Sequence, residues 1–455
     1  MKKLPPHSLI GALWLAFALF TNYVALNSIG PLVFIVPGAL AFGLFRLSGR
    51  IRILAATVWG VLFTAIFHRW ALNYGFLAWV GLSLARGLPW GLLAAASLIP
   101  GSKSSQESVG WRELLSVILG YALVCFALLV GITGNDWESP AAALAYQGWF
   151  LSTLPWLGLT LSSLLVGSIS ILVFCGPKGA RLTGVALLAG WVGLGSLTAG
   201  SGRKLDKKIA LVQTGWSQEK KWDDKERVQA VERLVSLTTE GAEKGAQLIV
   251  WPETAWPYRG LRRRFSDTRK IGRLARRLKV QLLASSIEET EDGHWYNSVS
   301  RITSSGRFSH EYQKIRLAPF AEYIPLPPAM EQALRKIPPL GRISRYLPGQ
   351  QDTPWELEEL RYSVLICFES QVPWMVAKRQ EEVDFFVVVT NDAPLLGNGP
   401  KESHFRSAIL RAAQFQRPFV QASNNGVTGV VDANGRVVER TPTGFDGPGV
   451  WVVEI

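Results

Sequence analysis

Apolar residues come in long unbroken runs through the first 200 positions and in short alternating ones afterwards. The long runs, at about 8–27, 31–47, 53–67, 74–99, 114–133, 155–175 and 182–198, lie near the roughly 20 residues a helix needs to cross a bilayer core. They predict an N-terminal polytopic α-helical membrane bundle of about seven helices over residues 1–200. A cleavable leader is a poor reading of the first run, since no small-residue cleavage site follows TNYVALNSIGPL and apolar runs continue far beyond it. In the fourth run Arg86 and Pro89 fall mid-span. Two forms stay open there: one kinked helix, or a short helix plus a re-entrant piece, with Arg86 turned to the bundle interior.

Residues 201–455 are predicted to form an α/β domain, because short β-branched runs alternate with longer amphipathic segments. Strands are expected at 208–213, 247–251, 279–285, 296–302, 362–367, 384–390, 418–423, 426–432 and 449–455, and helices at roughly 219–244, 262–278, 370–380 and 402–416. Asn434-Gly435, inside VVDANGRVV, is a strong hairpin dipeptide. The stretch 325–349, rich in Pro and cations, reads as a long irregular excursion of the kind that carries function.

Charge separates the halves further. The chain carries 48 Lys and Arg against 35 Asp and Glu, a formal +13. Residues 1–200 hold 11 basic and 4 acidic side chains, and residues 201–455 hold the other 37 and 31. Basic residues scattered between apolar runs make no continuous stripe for phosphates, which excludes a nucleic-acid binder. With the N-terminus inside, Lys2, Lys3, Arg46, Arg50, Arg52, Lys103, Arg112, Lys178 and Arg181 fall in inside loops and only Arg69 in an outside one. Seven crossings then deliver the second half to the outer face. The cluster Arg203, Lys204, Lys207 and Lys208 on that face runs against the rule, although juxtamembrane cations also bind anionic head groups.

Three polar residues of the second half could carry chemistry. Cys367 is the one cysteine outside the apolar spans. Its place, at the end of YSVLIC and before a helix, suits a nucleophile on a sharp strand-to-helix turn, and equally a small buried core residue. Glu253 ends the buried run LIVWPE, where partial desolvation would suit it to accept a thiol proton; a surface or capping role is the alternative. Lys314, in EYQKIRLAPFAEYIPL, could hold a thiolate or an oxyanion by charge, or be a solvated edge lysine. The five histidines are scattered and suggest no metal site.

The order Glu253, Lys314, Cys367 and its flanks resemble the nitrilase (carbon–nitrogen hydrolase) superfamily, and within it the bacterial apolipoprotein N-acyltransferase family. The matching stretches are LVQTGWSQEKKW (211–222), LIVWPETAWP (248–257), WYNSV (295–299), YQKIRLAPFAEYIPL (312–326), LICFES (365–370), TNDAPLLGNGPKESHF (390–405) and QRPFVQASNNGVTGVVDANG (416–435). The resemblance implies a nitrilase-like αββα sandwich with Cys367 as nucleophile, Glu253 as general base and Lys314 as electrostatic stabiliser. It also implies supporting or substrate-binding roles for Glu322, Glu369, Trp222 and Phe368. Asn297, Asn424 and Asn425 read as framework, and His404 as a framework or pocket-lining residue. Phe368 stands where the family commonly has Tyr, and Pro394, Leu395 and Leu396 where it has an aromatic pair. The family's further transmembrane helix would follow GVWVVEI, where this sequence stops.

What the resemblance implies about activity is two-step acyl transfer from a phospholipid, through a Cys367 thioester, to the α-amine of an S-diacylglyceryl-cysteine on an apolipoprotein. The implied enzyme works as a monomer without metal or cofactor, multi-pass in the bacterial inner membrane, with its catalytic domain in the periplasm. Two other readings are a membrane-tethered nitrilase-type amidase and a catalytically silent lipid-binding homologue.

Overall fold

The computed structural model describes residues 6–47, 49–95, 109–130, 134–135, 137–198, 204–221, 223–334, 336, 346–351, 353–395 and 397–455. The chain divides into two compact units, Met1–Gly200 and Ser201–Ile455.

The first unit is helical. Its described helices are α1 (Pro6–Asn27), α2 (Val36–Phe45), α3 (Gly49–Phe67), α4 (Phe76–Gly87), α5 (Gly91–Ala95), α6 (Trp111–Val130), α7 (Gly148–Leu151), α8 (Leu154–Cys175) and α9 (Lys178–Leu197). Among the described residues, six segments are long and apolar enough to cross a membrane: α1, α3, the α4–α5 pair taken together, α6, α8 and α9. Leu13, Phe20, Leu54, Leu115 and Phe126 stay exposed on them, as residues facing hydrocarbon must. The chain is a multi-pass membrane protein.

The second apolar run is shorter than a full span. It splits into a 3-10 turn, Gly30–Phe34, and the ten-residue α2, with Pro31 and Pro37 in the first turns, where a missing N–H costs no helical bond. The fourth run is a helix interrupted by the 3-10 turn Leu88–Trp90 around Pro89. Arg86 faces the interior: its Nε lies 2.7 Å from Glu138 Oε2, while Glu138 Oε1 lies 2.8 Å from His68 Nε2, and all three side chains are buried. Small residues let α3 and α4 touch, since a Cβ on Gly60 would come within 2.5 Å of the Gly87 carbonyl oxygen.

The second unit is a sandwich of two six-stranded sheets. The first has the order β12-β1-β2-β3-β4-β5 and the second β11-β10-β9-β8-β7-β6. The strands are β1 (Lys208–Gln213), β2 (Leu248–Val250), β3 (Gln281–Glu289), β4 (Trp295–Ile302), β5 (Phe308–Gln313), β6 (Trp355–Leu357), β7 (Leu360–Ile366), β8 (Phe385–Thr390), β9 (Phe419–Ser423), β10 (Gly429–Val431), β11 (Val437–Arg440) and β12 (Gly449–Glu454). Pairing is parallel at the centre of each sheet, β1-β2-β3 and β7-β8-β9, and antiparallel outside it.

Period-two alternation sorts the side chains between layers. Ile209, Leu211, Leu248, Val250 and Leu283 meet Tyr362, Val364, Ile366, Val387 and Val420 between the sheets. Ala210, Val212, Ile249, Trp251 and Leu282 face the other way, onto α11 (Arg227–Glu243) and α12 (Phe265–Leu278). Counting the short α10 (Gln218–Lys221) before them, the remaining helices are α13 (Pro328–Leu334), α14 (Pro373–Ala377) and α15 (Asn398–Phe415). Of these, α15 packs on the outer side of the second sheet against β9, completing the αββα layering. The expected helix over 219–244 is interrupted after Lys221 and resumes at Arg227. The 325–349 excursion contains α13.

Candidate active site

Parallel strands end together at one edge of each sheet, which is where α/β folds place ligands. Glu253 follows β2, Cys367 follows β7, and Asn391 and Asp392 follow β8. Cys367 opens a 3-10 turn, Cys367–Gln371, with φ at +53°. A non-glycine residue in the left-handed region is strained, and such strain is held in place by its surroundings. Thr254, directly after Glu253, sits at φ +50°.

The Cys367 side chain is half-buried. Burial and the charge of Glu253 push its thiol well above the ordinary value, outweighing Lys314, which pulls it down. The sulfur therefore rests as a thiol at neutral pH and needs a base before it can attack. Glu253 is 6% exposed. Its Oε1 accepts from Asn297 Nδ2 at 2.6 Å and its Oε2 from the Asn391 backbone N–H at 2.8 Å. Each oxygen keeps a second lone pair.

Lys314 is 1% exposed. Its Nζ lies 2.7 Å from Glu322 Oε2 and 3.7 Å from Glu253 Oε1. Burial pulls its pKa down, but Glu322 and Glu253 together outweigh burial and hold the ammonium well above the ordinary lysine value. The main chain fixes it at both ends: its N–H donates to the Asn297 carbonyl and its carbonyl accepts from Gly349 N–H, both at 2.8 Å. Glu322 is braced by Asn297 Nδ2 at 3.2 Å and Ala318 N–H at 2.8 Å. Asn297 therefore bridges the two carboxylates that flank the lysine.

Glu369 is fully buried and ties the two sheets together. Its carboxylate accepts from the N–H groups of Ile366 and Ile315 at 2.7 Å, from Arg316 N–H at 2.9 Å and from the Tyr312 hydroxyl at 2.9 Å. It thus joins the elbow after β7 to the residues directly after Lys314. Burial raises its carboxyl to about 7 although four donors favour the ionised form. Phe368 is buried beside it. Trp222 lies outside the described residues.

Two further groups reach the site in ways that the sequence does not indicate. His404, on α15, lies with Nδ1 2.7 Å from Asp392 Oδ1 and Nε2 3.2 Å from the carbonyl oxygen of Cys367. Burial lowers its pKa, but Asp392 outweighs burial and the net shift is upward. Lys221 is buried too, and its Nζ donates to the Glu253 carbonyl at 3.0 Å and to the Thr254 hydroxyl. Burial lowers that lysine to about 7, against the pull of Glu253. Its only sequence signal is its place beside Trp222 in QEKKW. Asn424 bonds Trp216 and Asn391, and Asn425 accepts from Lys401, which also reaches Asp446 at 2.6 Å. Both serve the loop framework.

The arrangement offers a thiol on a strained turn, a carboxylate with free lone pairs and a permanent buried cation. That set can deprotonate a sulfur nucleophile and stabilise the anion formed when it adds to a carbonyl.

The chain is similar to known proteins over most of its length. The chain is 27% identical over 471 residues to the apolipoprotein N-acyltransferase of Brucella suis biovar 1, covering 95% of this chain and 84% of that one. It is 29% identical to that of Caulobacter vibrioides over 86% of this chain and 75% of the relative. The match to the Brucella melitensis protein of the same name is 28% identical and spans 65% of that relative's length. Among solved structures, an amidase from Nesterenkonia sp. overlays with a TM-score of 0.42 at 18% identity, over 56% of this chain and 93% of that one. The carbon–nitrogen hydrolase family model matches residues 208–455, more than half the sequence, and the chain belongs to that family.

Proposed function

We propose that the protein is an apolipoprotein N-acyltransferase of the bacterial inner membrane, with Cys367 as nucleophile, Glu253 as general base and Lys314 as electrostatic stabiliser. The observation that carries the reading is the continuity of the match: relatives of that name align through the membrane helices as well as the hydrolase domain, over 95% of the chain in one case. A soluble amidase has no use for six apolar helices. Both substrates of the acyltransferase are lipids, and drawing their chains into water would cost about 0.8 kcal/mol per CH₂.

In the first step Glu253 takes the Cys367 proton and the sulfur attacks an ester carbonyl of a phospholipid. The Lys314 ammonium stabilises the oxyanion. As the tetrahedral adduct collapses, the lysophospholipid oxygen leaves with the proton from Glu253, and an acyl thioester remains on Cys367. In the second step the α-amine of an S-diacylglyceryl-cysteine attacks the thioester and gives its proton to Glu253. Collapse forms the amide, and the Cys367 sulfur recovers the proton. Each positioned group supplies on the order of 2 to 4 kcal/mol. Glu322 keeps Lys314 charged, Glu369 fixes it relative to the thiol, and Trp222 and Phe368 contact substrate. The excess of Lys and Arg in alternate loops of the first unit supports a cytoplasmic N-terminus, and a periplasmic catalytic domain then requires the shorter apolar segment Gly30–Phe45 to cross as a seventh span beside the six long ones.

The test uses the full chain in micelles with phospholipid and no acceptor. The Cys367 peptide is expected to gain one acyl group, labile to hydroxylamine, which transfers to a diacylglyceryl-cysteinyl peptide on addition. Normal turnover by Cys367→Ala would overturn the mechanism. Hydrolysis of small soluble amides without lipid, and no acyl-enzyme, would make the protein an amidase.

A further inference from the structure

The loop that carries Glu253 has a second side. Trp251 and Trp256 flank the glutamate in sequence but pack on the outer face of the first sheet, stacked with centroids 6.1 Å apart and planes 6° from parallel. There α11 and α12 leave a cavity of about 530 Å³, within the range of small-molecule sites. Val235, Trp251, Trp256, Ile271 and Leu274 line it, and so do Lys270, Arg273, Arg276 and Arg277. These four cations are exposed, so they stand at the mouth. Trp256 is 2% exposed, and its indole N–H has no hydrogen-bond partner among the described residues.

The charge around this mouth is exceptional for the unit. Residues 262–279 hold nine basic side chains and one acidic, a net +8, whereas residues 201–455 carry 37 and 31, a net +6. The rest of the unit is therefore slightly acidic. The single acid, Asp267, pairs with Arg264 at 2.9 Å. None of Lys270, Arg273, Arg276 and Arg277 forms an ion pair among the described residues. An amphipathic helix with a cationic face recognises anionic lipid head groups, and here its apolar face borders an indole-floored cavity.

We propose that the α11–α12 cavity binds one molecule of anionic phospholipid, with hydrocarbon on the Trp251–Trp256 floor and phosphate on the α12 cations. The floor selects for an acyl chain over a nucleotide or sugar, and the mouth selects for a net negative head group over a zwitterionic one. This site lies on the side of the sheet away from the core between the sheets, and it does not depend on the acyl-transfer reading. Because Trp251 and Trp256 bracket Glu253, a bound lipid also stiffens the segment that holds that carboxylate.

The test is photolabelling of the full chain in phosphatidylcholine nanodiscs with phosphatidylglycerol carrying a diazirine in one acyl chain, followed by peptide mapping. Label is expected on 227–243, 251–256 and 265–278, roughly tenfold or more above that from a phosphatidylcholine probe with the same chain. The triple substitution R273E/R276E/R277E is expected to remove it while labelling of the membrane helices and the Tm stay unchanged. Val235→Trp, which fills the cavity and keeps the cations, is expected to do the same. Equal labelling of these segments by both probes, or none in them while the membrane helices are labelled, overturns the proposal in the unmodified protein, without recourse to any variant. Undiminished labelling in the triple variant does so as well.

Discussion

The imidazole of His404 holds the carbonyl oxygen of Cys367 at 3.2 Å while its other nitrogen faces Asp392 at 2.7 Å. A protonated ring donates from both nitrogens at once, so the strained peptide of Cys367 is fixed by a buried ion pair. The pKa of His404 is raised above its ordinary 6.5. The stabilisation is thus complete below about pH 6.5 and is lost as pH rises through the folded-state value. Asp392→Asn keeps the shape and removes the charge. Thermal unfolding should show a penalty of about 3 kcal/mol at pH 6 that shrinks at alkaline pH. A pH-independent penalty would assign the pair a packing role alone.

Glu369 gives a slope of the same sign over a lower pH window. Its folded-state value of about 7 exceeds the ordinary 4.5, so between those values the native state holds a proton that the unfolded chain has released. Stability contributed by this group falls as pH climbs from 4.5 to 7. Glu369→Gln should flatten that slope. It also turns an NH₂ toward donors that need an acceptor, at a cost of about 1 to 3 kcal/mol for each one orphaned. Tyr312→Phe, which removes one donor, should cost only about 1 kcal/mol in the same unfolding assay.

Lys314→Met leaves Glu253 and Glu322 sharing Asn297 with no cation between them. Uncompensated buried charge costs about 3 to 5 kcal/mol. The measurable result is a lower melting temperature that recovers in acid, as one carboxylate takes up a proton, together with loss of the acyl-enzyme at every pH. Recovery of the acyl-enzyme in acid would show that the lysine serves only to neutralise the carboxylates.

Lys221 should be the least costly cation to delete. Its value drops to about 7 from 10.5, so the folded chain has shed a proton that the unfolded chain still carries between those limits, and stability rises with pH across the window. Lys221→Met should abolish this rise and stabilise the fold at pH 6. It should slow acyl-enzyme formation through the lost bonds to Glu253 and Thr254. An unchanged rate would leave Lys221 with no part in holding the base.

In the membrane unit, Arg86→Leu strands Glu138 beside His68, and about 3 to 5 kcal/mol of stability should go with it. The double change Arg86→Leu/Glu138→Leu should be milder than either single one in thermal unfolding in detergent. Additive losses would mean that the pair is not coupled.

Most of the fold could be read from periodicity because most of its strands are buried. Strands such as β1 and β8 have near-continuous apolar runs, and their alternation feeds opposite layers. β5 was hidden because FSHEYQ is an edge strand with four of its six residues at least partly wet and polar, and β6 because WEL is too short to show a period. The break after Lys221 escaped because the amphipathic pattern continues across it. Cys367, Glu253 and Lys314 stand out in the sequence because each ends or interrupts an apolar run. His404 does not, since its partner Asp392 is twelve residues away and only the fold makes the two meet over the Cys367 carbonyl. Lys221 looked like one of a solvated pair, and only burial distinguishes it from Lys220. For Glu369 the sequence carried an expectation of importance but no hint that it reaches residues 312–316 across the sandwich.

That reach has a consequence for how the protein comes to life. Glu253 and Lys314 follow strands of one sheet and Cys367 follows a strand of the other, and the carboxylate of Glu369 joins them across 54 residues of chain. Neither sheet alone holds a working set. With only the first sheet formed the Cys367 thiol is unplaced, and with only the second formed it stands apart from Glu253 and Lys314. On the proposed roles of Glu253, Lys314 and Cys367, competence therefore switches on with closure of the sandwich.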